Sequence, residues 1–429
     1  SHSDIKRFLK KKKYKDFKKR IVLFLEYSKI NKRLFTFLFN RVQLRNRHKI
    51  KNIYYLVKKQ LRFKLFYNYP GETLFVAFKR LVIWLIKYLI RVINLIFINK
   101  FFDLLIQKFI KPNLNLIKIF ETIIPDLVII PFSGNHISIF DTIRYKKKTR
   151  KYKVFLLTEN WDNIYSRYMI NHPEHISLWG AQSRKYLSRH NYNGKSHILG
   201  APRLEKYFQE RNKKYKRPYS YEYAVFFDNA SPKIKDNLIF LKNVDEYIEK
   251  NKKSFKNFKI LFRPHPYTFL NDIGLINFNN YKNVILDPQS KSRYNYNLPS
   301  SKIRNSDFKY SIGLIKNAKF LICSATSVNI EATIFHKNII LYTPKINSYD
   351  KKNRIIDMWE HFLEITKFKN ISICDDDKLI GPMIKKLYLS RKKLNIKLID
   401  KQREQVVISG NKPYKFRLLN TVKKILINK

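Results

Sequence analysis

Short runs of apolar residues recur along the chain, and most of them end in a loop of polar or small residues. Runs of about four to eight such residues, rich in β-branched and aromatic side chains, are typical of strands buried on both faces of a parallel sheet. Runs of this kind lie near residues 21–26, 126–131, 153–158, 176–179, 196–199, 223–227, 258–262, 283–286, 319–323 and 338–342. Helix-like segments separate most of them, so the pattern predicts an α/β fold built from repeated strand–helix units.

The predicted strands fall into two groups on either side of a basic and aromatic segment, Arg203 to Tyr221, which we interpret as a linker. The 429 residues are enough for two domains of about 100–200 residues each. We therefore predict an amino-terminal Rossmann-like domain over residues 1–215, a second over residues 216–395, and a helical segment over residues 396–429. Helices are predicted in the carboxyl-terminal part at about 378–396 and 413–427.

Residues 81–110 have a different pattern, because this stretch is mostly apolar but is interrupted by Lys87, Arg91 and Asn94. Their spacing of three to four residues marks a narrow polar stripe on an otherwise apolar helix. No uninterrupted run reaches the ~18–20 apolar residues that a membrane-spanning helix needs. Two interpretations stay open: an amphipathic helix that lies on an anionic membrane, and a buried helix or dimer contact inserted in the amino-terminal domain.

The charge of the chain is extreme, with 88 Lys and Arg against 32 Asp and Glu, a formal net charge of +56. A field of this size attracts nucleic acid, anionic lipid and phosphorylated small molecules alike. The lysines are spread along the whole chain among many Asn, Ile, Tyr and Phe residues, which AT-rich coding also produces, so the charge alone selects no partner. No RNA-recognition, zinc-finger or helix-turn-helix signature is present, so we predict no specific nucleic-acid partner.

Glycine and cysteine usage excludes several kinds of site. With nine glycines, the chain has neither Gly-x-Gly-x-x-Gly nor Gly-Lys-Ser/Thr, so the usual dinucleotide and P-loop motifs are absent. Two cysteines make neither a disulfide framework nor a zinc cluster, and they fit a reducing cytosol. The acidic cluster Asp375-Asp376-Asp377 is interpreted as a solvated helix start and not as a metal site.

Two cationic or hydrogen-bonding side chains follow the apolar run 258–262. Arg263 and His265 are separated by Pro264, which limits the backbone, so both heads are expected near one point. Arg can bind phosphate oxygens through two hydrogen bonds, and His titrates near neutral pH. The alternative is an ordinary rigid loop after a strand.

A cluster of hydroxyls follows the apolar run that ends at Cys323. Ser324, Thr326 and Ser327 stand where a helix is expected to begin, and Glu331 lies about one turn into that helix. Hydroxyls and backbone N–H groups at such a place bind anions, and a carboxylate one turn further on can reach a ribose hydroxyl. The alternative is a helix cap without a ligand. Ligands of open α/β sheets bind at the carboxyl ends of the strands, so the two motifs together predict a nucleotide site.

These motifs resemble those of GT-B transferases that use cytidine nucleotides. Arg263-Pro264-His265-Pro266 is similar to the His-Pro motif of bacterial sialyltransferases, Kdo transferases and CDP-glycerol-type transferases, and the segment from Ser324 to Ser327 is similar to their Ser/Thr motif. The resemblance covers roughly residues 120–345. It implies two facing Rossmann-like domains, with the carboxyl-terminal helices returning to the first domain. It also implies contacts with the donor phosphates by His265, Ser324, Thr326 and Ser327, and a ribose contact by Glu331.

Three blocks upstream resemble the amino-terminal half of surface-carbohydrate transferases of the same superfamily. They are Leu156 to Asn163 with its Trp-Asp-Asn, Ile176 to Gly180 with its Trp-Gly, and Ile198 to Glu205 with its Gly-Ala-Pro. Each is a strand candidate followed by a polar or small-residue loop, so these loops are expected to face a cleft between the domains and to bind the acceptor.

A transferase of this kind needs a base that takes a proton from the acceptor hydroxyl. The carboxylate and imidazole candidates in the amino-terminal half are His136, Asp141, Glu159 and Asp162. For each of them the alternative is a cap or a loop hydrogen bond, and for Trp161 it is ordinary core packing.

We therefore predict a metal-independent GT-B glycosyltransferase of bacterial surface polysaccharide synthesis, such as that of capsule or lipopolysaccharide. It would transfer a sugar from a nucleotide donor, with CMP-linked sugars favoured, to a glycan or lipid-linked acceptor. The donor is a substrate, so no cofactor is predicted, and the expected location is the cytoplasmic face of the membrane. The alternatives are a CDP-glycerol or CDP-ribitol polyol-phosphate transferase and a noncatalytic protein that binds membranes or nucleic acid.

Overall fold

The computed structural model of the protein describes residues 21–23, 118, 120–122, 125–132, 152–166, 173–189, 192–228, 234–265, 277–290, 307–343, 360–391 and 393–427. The amphipathic stretch 81–110 and the candidate bases His136 and Asp141 lie outside these residues. Within the described part, no helix is both long and apolar enough to cross a membrane.

The chain divides into two compact units, each built on a parallel sheet. Residues 1–179, 183–202 and 412–429 form the first unit, and residues 180–182 and 203–411 form the second. The predicted fold class, α/β with two parallel sheets, is confirmed. The segment 203–221, which we had interpreted as a linker, belongs to the second unit.

The described part of the first unit contains five parallel strands in the spatial order β1-β2-β3-β4-β5. The strands are β1 (Ile21–Leu23), β2 (Leu127–Phe132), β3 (Lys153–Thr158), β4 (His175–Leu178) and β5 (Lys195–Ile198). Alternate residues of a strand face opposite sides of a sheet. Accordingly, Val154 and Leu156 join one core cluster with Leu187, whereas Phe155 and Leu157 join another.

Among the described residues, this part of the fold includes the helices α1 (Asn163–Ser166), α2 (Ala181–Arg189) and α9 (Tyr414–Ile427). Helix α9 comes from the end of the chain and packs on the sheet through Leu418, Val422 and Ile425. The Lys153 side chain fixes the end of this helix, since its Nζ donates to the carbonyl of Ile425 at 2.7 Å.

The second unit contains six parallel strands in the order β8-β7-β6-β9-β10-β11. The strands are β6 (Glu222–Phe227), β7 (Phe258–Arg263), β8 (Val284–Leu286), β9 (Leu321–Cys323), β10 (Ile339–Tyr342) and β11 (Ile371–Cys374). Numbered within the unit, the order is 3-2-1-4-5-6, which is that of a dinucleotide-binding Rossmann fold. The helices are α3 (Glu205–Glu210), α4 (Ile234–Lys250), α5 (Phe308–Asn317), α6 (Val328–Ile334), α7 (Asp377–Leu389) and α8 (Ile396–Val406).

The central strand β6 is buried on both faces. Ala224 and Phe226 pack with Phe240 of α4 on one face, whereas Tyr223 and Val225 pack with the cluster around α5 and α6 on the other. A strand covered on both sides has to be apolar throughout, which explains why the run 223–227 is recognisable in the sequence.

Two predictions for the carboxyl-terminal part need correction. Strand β11 was not predicted, because the exposed Ser372 interrupts a short run at the edge of the sheet, in which only Cys374 is fully buried. The single helix predicted over 378–396 is wrong, since α7 ends at Leu389 and α8 begins at Ile396 after an Asn395 cap that accepts from Leu398 N. The interpretation of the acidic cluster as a helix start is confirmed, because Asp376 caps α7 by accepting from Lys378 N at 2.9 Å.

Candidate functional site

The second sheet has a topological switch point between β6 and β9. The strand that follows β6 along the chain, β7, lies on one side of this pair, and the strand that follows β9, β10, lies on the other. Open α/β sheets bind their ligands at such a switch point, at the carboxyl ends of the strands.

A polar residue follows each of four strands at this edge, and two of these residues belong to the predicted site. Asp228 follows β6, His265 follows β7, Asp287 follows β8 and Ser324 follows β9. Backbone hydrogen bonds continue the sheet beyond the strand ends, with Ser324 N to Phe227 O at 2.9 Å and Asp228 N to Arg263 O at 3.2 Å. The structure therefore brings the His-Pro motif and the Ser/Thr motif to one edge of one sheet.

The loop from Ser324 to Ser327 is held in shape by a buried side chain, Asn329. Its Nδ2 donates to the carbonyls of Ser324 at 2.9 Å and of Thr326 at 2.8 Å, and the residue is fully buried. The sequence reasoning did not single out Asn329, although its place five residues after a strand-ending serine was visible. An amide that donates twice to one loop fixes the positions of the hydroxyls that the loop carries.

The hydroxyls of this loop are not used as helix caps. Ser327 occupies the cap position of α6, yet its side chain makes no cap hydrogen bond. The Thr326 Oγ1 atom is buried and has no hydrogen-bond partner among the described residues. Helix α6 has only seven residues, so its dipole is small, and anion recognition here would depend on the loop itself.

The Arg263 guanidinium donates hydrogen bonds to three side chains of the second unit. Its Nη1 donates to Asp287 Oδ2 at 2.8 Å, and its Nη2 donates to Gln289 at 2.7 Å and Ser311 at 3.2 Å. Asp287 is fully buried and also accepts from the Tyr310 hydroxyl at 2.5 Å. This network fixes the end of β7 next to β8, and sequence reasoning missed Tyr310 because it lies 23 residues beyond Asp287.

His265 is half-buried, two residues beyond the end of β7. Burial lowers the pKa of its imidazole below the ordinary value. Burial thus favours the neutral imidazole, and an anion that binds beside it would raise this pKa.

Glu331 lies in α6 with two partners from the segment that was predicted to be a linker. The Arg203 Nη2 atom is 3.8 Å from a Glu331 carboxylate oxygen, and the Tyr207 hydroxyl is hydrogen-bonded to the same carboxylate. Burial raises the pKa of Glu331, and Arg203, Tyr207 and Arg263 partly offset this rise. The sequence did not indicate that Arg203 and Tyr207 lie beside Glu331, because both belong to the segment that was interpreted as a linker.

The two described candidates for the base lie in the first unit. Glu159 and Asp162 follow β3, and both are partly buried. A hydrogen bond joins the ends of β3 and β4, because the carbonyl of Thr158 accepts from Trp179 Nε1 at 3.2 Å. Trp161 and Trp179 are buried, with 6% and 1% of their surfaces exposed, so both contribute to packing.

Metal ligands are not clustered in the described part of the chain. No three His, Cys, Asp or Glu side chains among these residues are placed to hold one metal ion. Cys323 and Cys374 are both buried and unpaired with each other.

The chain matches no family model, and no curated protein is significantly similar to it. Among solved structures, one described as a UDP-N-acetylglucosamine 2-epimerase from Listeria monocytogenes is 9% identical over 73% of this chain and 78% of its own, with a TM-score of 0.46. A UDP-GlcNAc 2-epimerase from Methanocaldococcus jannaschii, solved with UDP-GlcNAc and UDP, is 14% identical over 72% and 79%, with a TM-score of 0.45.

The wall teichoic acid polymerase TagF is 12% identical over 73% of this chain and 85% of its own, with a TM-score of 0.36. Similarities at these identities and TM-scores assign no activity to the chain. Its fold is established by the parallel sheets and the strand order described above.

Proposed function

We propose that the protein is a transferase of the GT-B type that binds a nucleotide-activated donor at the carboxyl edge of its second sheet. The observation that carries the proposal is the unpartnered, buried Thr326 hydroxyl at the switch point, on the same edge as His265. A buried hydroxyl without a partner costs free energy, and a phosphate oxygen would be a suitable acceptor for it.

In this proposal the groups at the carboxyl edge have different tasks. The Thr326 and Ser327 hydroxyls and His265 bind the donor phosphates, and Glu331 accepts from a ribose hydroxyl. Arg263 is a positioning residue, because its guanidinium holds the ends of β7 and β8 together through Asp287. The negative charge that develops on the leaving phosphate is stabilised by donors that are already in place.

The reaction would proceed by attack of an acceptor hydroxyl on the donor. The bond from the donor sugar carbon to the phosphate oxygen breaks, and its electron pair leaves with the nucleotide. A base takes the hydroxyl proton. The candidates for this base are Glu159 and Asp162, together with His136 and Asp141, which lie outside the described residues. His265 would donate a hydrogen bond, or a proton, to the leaving phosphate.

The proposal that the donor carries a cytidine nucleotide, and that it transfers a sugar or a polyol phosphate, rests on the His-Pro resemblance alone. A CMP-linked sugar and a CDP-linked polyol both release CMP, so the two donors differ in the group that moves to the acceptor. Mass spectrometry of the product distinguishes them, since the polyol reaction adds a phosphate and the sugar reaction does not.

The test is calorimetric titration of the purified chain with CMP, CDP, UDP and GDP, in salt high enough to screen the general attraction of the +56 charge. We expect selective binding of the cytidine nucleotides. The His265→Ala variant should bind about 10- to 100-fold more weakly, because a hydrogen bond to a charged group contributes ~1.5–3 kcal/mol. The matched control is His197→Ala, which removes another half-buried imidazole from β5 of the first sheet.

Thr326→Val tests the observation that carries the proposal. The substitution keeps the shape and removes the unpartnered hydroxyl, so the free protein should become slightly more stable to urea while nucleotide binding weakens. A gain in stability together with a loss of nucleotide affinity is expected only if the hydroxyl binds a ligand. Unchanged binding, or a loss of stability, would remove Thr326 from the site, and selective binding of none of the nucleotides would favour the noncatalytic alternative.

A further inference from the structure

A second basic cavity lies in the second unit, away from the carboxyl edge of its sheet. It has a volume of about 330 Å³ and is open to solvent. Lys316 is near the end of α5, and His336 and Lys337 immediately precede β10, so the cavity lies at the amino end of the strands. Arg211, which follows α3, contributes a further cationic side chain to the lining.

The positive charges of this cavity are only partly balanced. Arg211 is paired with Asp400, at 2.5 Å between Nη2 and Oδ2. Lys316 and Lys337, in contrast, donate to backbone carbonyls. Lys316 Nζ donates to those of Glu210 at 2.9 Å, Arg211 at 3.0 Å and Lys213, and Lys337 Nζ donates to that of Ala318 at 2.8 Å. A carbonyl satisfies a hydrogen bond but carries no full charge, so a partly buried ammonium held in this way still favours an anion.

His336 adds backbone strain at the same place. Its φ of 52° lies in the left-handed region, at the end of α6, where glycine is the usual residue. The turn closes through Lys337 N to Ala332 O at 3.2 Å. A side chain is thus present where glycine would relieve the strain, and its Nε2 lies 3.1 Å from Asp400 and close to Arg211.

The pKa values of Lys337 and Lys316 are both lowered, as expected for ammonium groups held by carbonyls and not by carboxylates. Burial, with the repulsion of Lys316 and Lys319, lowers the pKa of Lys337 to about 8. Burial also lowers the pKa of Lys316, which the nearby Glu210 partly offsets. The Glu210 carboxylate is itself engaged by Lys213 and Tyr215. An added anion would relieve the repulsion between these ammonium groups.

We propose that this cavity is a binding site for the phosphoryl group of a phosphate ester, separate from the proposed donor site. The volume falls within the ~300–1,000 Å³ of common ligand sites, which is more than one phosphate needs. Phe335 and the exposed Ile396 form an apolar part of the lining, and this part would contact the organic portion of the ester. A soluble ester and a phospholipid headgroup share this chemistry.

The probe is phenyl phosphate, which combines a phosphoryl dianion with a small apolar body. Titration of the full chain is followed by calorimetry at about 0.15 M salt, where exposed charges are screened beyond ~8 Å. Ile396→Glu places a carboxylate at the cavity, and we expect binding at least tenfold weaker. Asn212→Asp, an isosteric change of an exposed lining residue, should weaken binding as well and serves if Ile396→Glu folds poorly.

Leu389→Glu is the matched control, because this exposed side chain ends α7 and lies outside the lining, yet the net charge changes by the same amount. It should bind phenyl phosphate like the unaltered protein, and so should His265→Ala. If Ile396→Glu and Leu389→Glu weaken binding equally, or if His265→Ala removes it, the proposal is overturned.

Vesicles distinguish the two sources of the phosphoryl group. Sedimentation with phosphatidylcholine vesicles that contain phosphatidic acid is compared for the same variants. If Ile396→Glu weakens vesicle binding and Leu389→Glu does not, the lipid headgroup is the ligand. If vesicle binding is unchanged while phenyl phosphate binds more weakly, the ligand is a soluble ester.

Discussion

The ion pair between Arg263 and Asp287 is deeply buried in the second unit. Only 11% of the Arg263 side chain and none of the Asp287 side chain is exposed. Asp287 also accepts from the backbone and side chain of Ser290, both at 3.1 Å. A charge buried this deeply is tolerable only while its partners stay in place.

Asp287→Ala should therefore lower the free energy of unfolding by roughly 3–5 kcal/mol, because Arg263 would remain buried without its counter-charge. Urea denaturation followed by circular dichroism measures the change. Lys242→Ala is the control: its pair with Glu246 spans 3.9 Å with both side chains largely exposed, and its loss should cost no more than about 0.5 kcal/mol. A loss below 1 kcal/mol for Asp287→Ala would contradict the role of the pair.

Lys337 predicts a pH dependence of stability. Its pKa is about 8 in the folded chain, and the unfolded chain has the ordinary value of 10.5. Between these values the unfolded state binds more protons, so this lysine makes stability rise with pH from about 8 towards 10. Raised tyrosine pKa values, as at Tyr221, act in the opposite direction above the ordinary value of 10.0.

The comparison that isolates Lys337 is wild type against Lys337→Met, in urea at pH values from 7 to 10. The difference in unfolding free energy should favour the variant most at neutral pH and should shrink as the pH rises. The parallel loss of general charge repulsion affects both proteins and cancels. A difference that does not vary with pH would mean that the ammonium of Lys337 is not destabilised by its surroundings.

At the scale of elements, the loop after β9 depends on Asn329. Asn329→Asp replaces the amide donor with a carboxylate that faces the carbonyls of Ser324 and Thr326, so both lose their hydrogen bond. We expect a loss of ~1–3 kcal/mol in stability and weaker nucleotide binding by the molecules that remain folded. Chemical denaturation and calorimetry on the same preparation measure the two effects.

Asn370→Asp is the control that separates the effect of Asn329→Asp on stability from its effect on nucleotide binding. Asn370 is also buried, and its Nδ2 donates to the carbonyl of Lys337 at 2.7 Å, away from the carboxyl edge of the sheet. Its substitution should destabilise the protein by a similar amount without changing nucleotide affinity. Equal effects of both substitutions on affinity would show that Asn329 acts only on stability.

The strands could be predicted from the sequence wherever a strand is covered on both faces, as in β6 and β7. Strand β11 could not, because an edge strand with Ser372 has too few apolar positions to be distinguished from a loop. The break between α7 and α8 was missed for another reason: Arg391, Lys393 and Leu394 all favour helices, and the chain breaks where Ser390 and Asn395 end one helix and cap the next.

The carboxyl-edge placement of the two motifs was predictable because each follows an apolar run. The partners of their side chains were not. Arg263 meets Asp287 only because β7 pairs with β8, and Arg203 reaches Glu331 from a segment 128 positions earlier, which no local pattern indicates. The unpartnered Thr326 hydroxyl depends on loop geometry that propensities do not determine.

At the scale of the whole molecule, the interpretation of residues 81–110 as an amphipathic helix on an anionic membrane can be tested directly. Flotation of the protein with vesicles that contain anionic lipid should weaken as salt rises, because the contribution of Lys and Arg near the surface is screened. Deletion of residues 81–110 should abolish flotation while the circular dichroism of the remaining chain is kept. Flotation by the folded deletion variant would place the attachment elsewhere.

Helix α9 has a consequence for biosynthesis. It is made after every strand of both sheets, yet it covers the face of the first sheet that carries Leu127, Phe155 and Leu157. During translation α9 therefore cannot cover that face until residues 414–427 have left the ribosome, whereas residues 203–411 of the second unit have been made before them. The unit that is synthesised first has to finish folding last, and its apolar face is the surface that a chaperone would protect in the meantime.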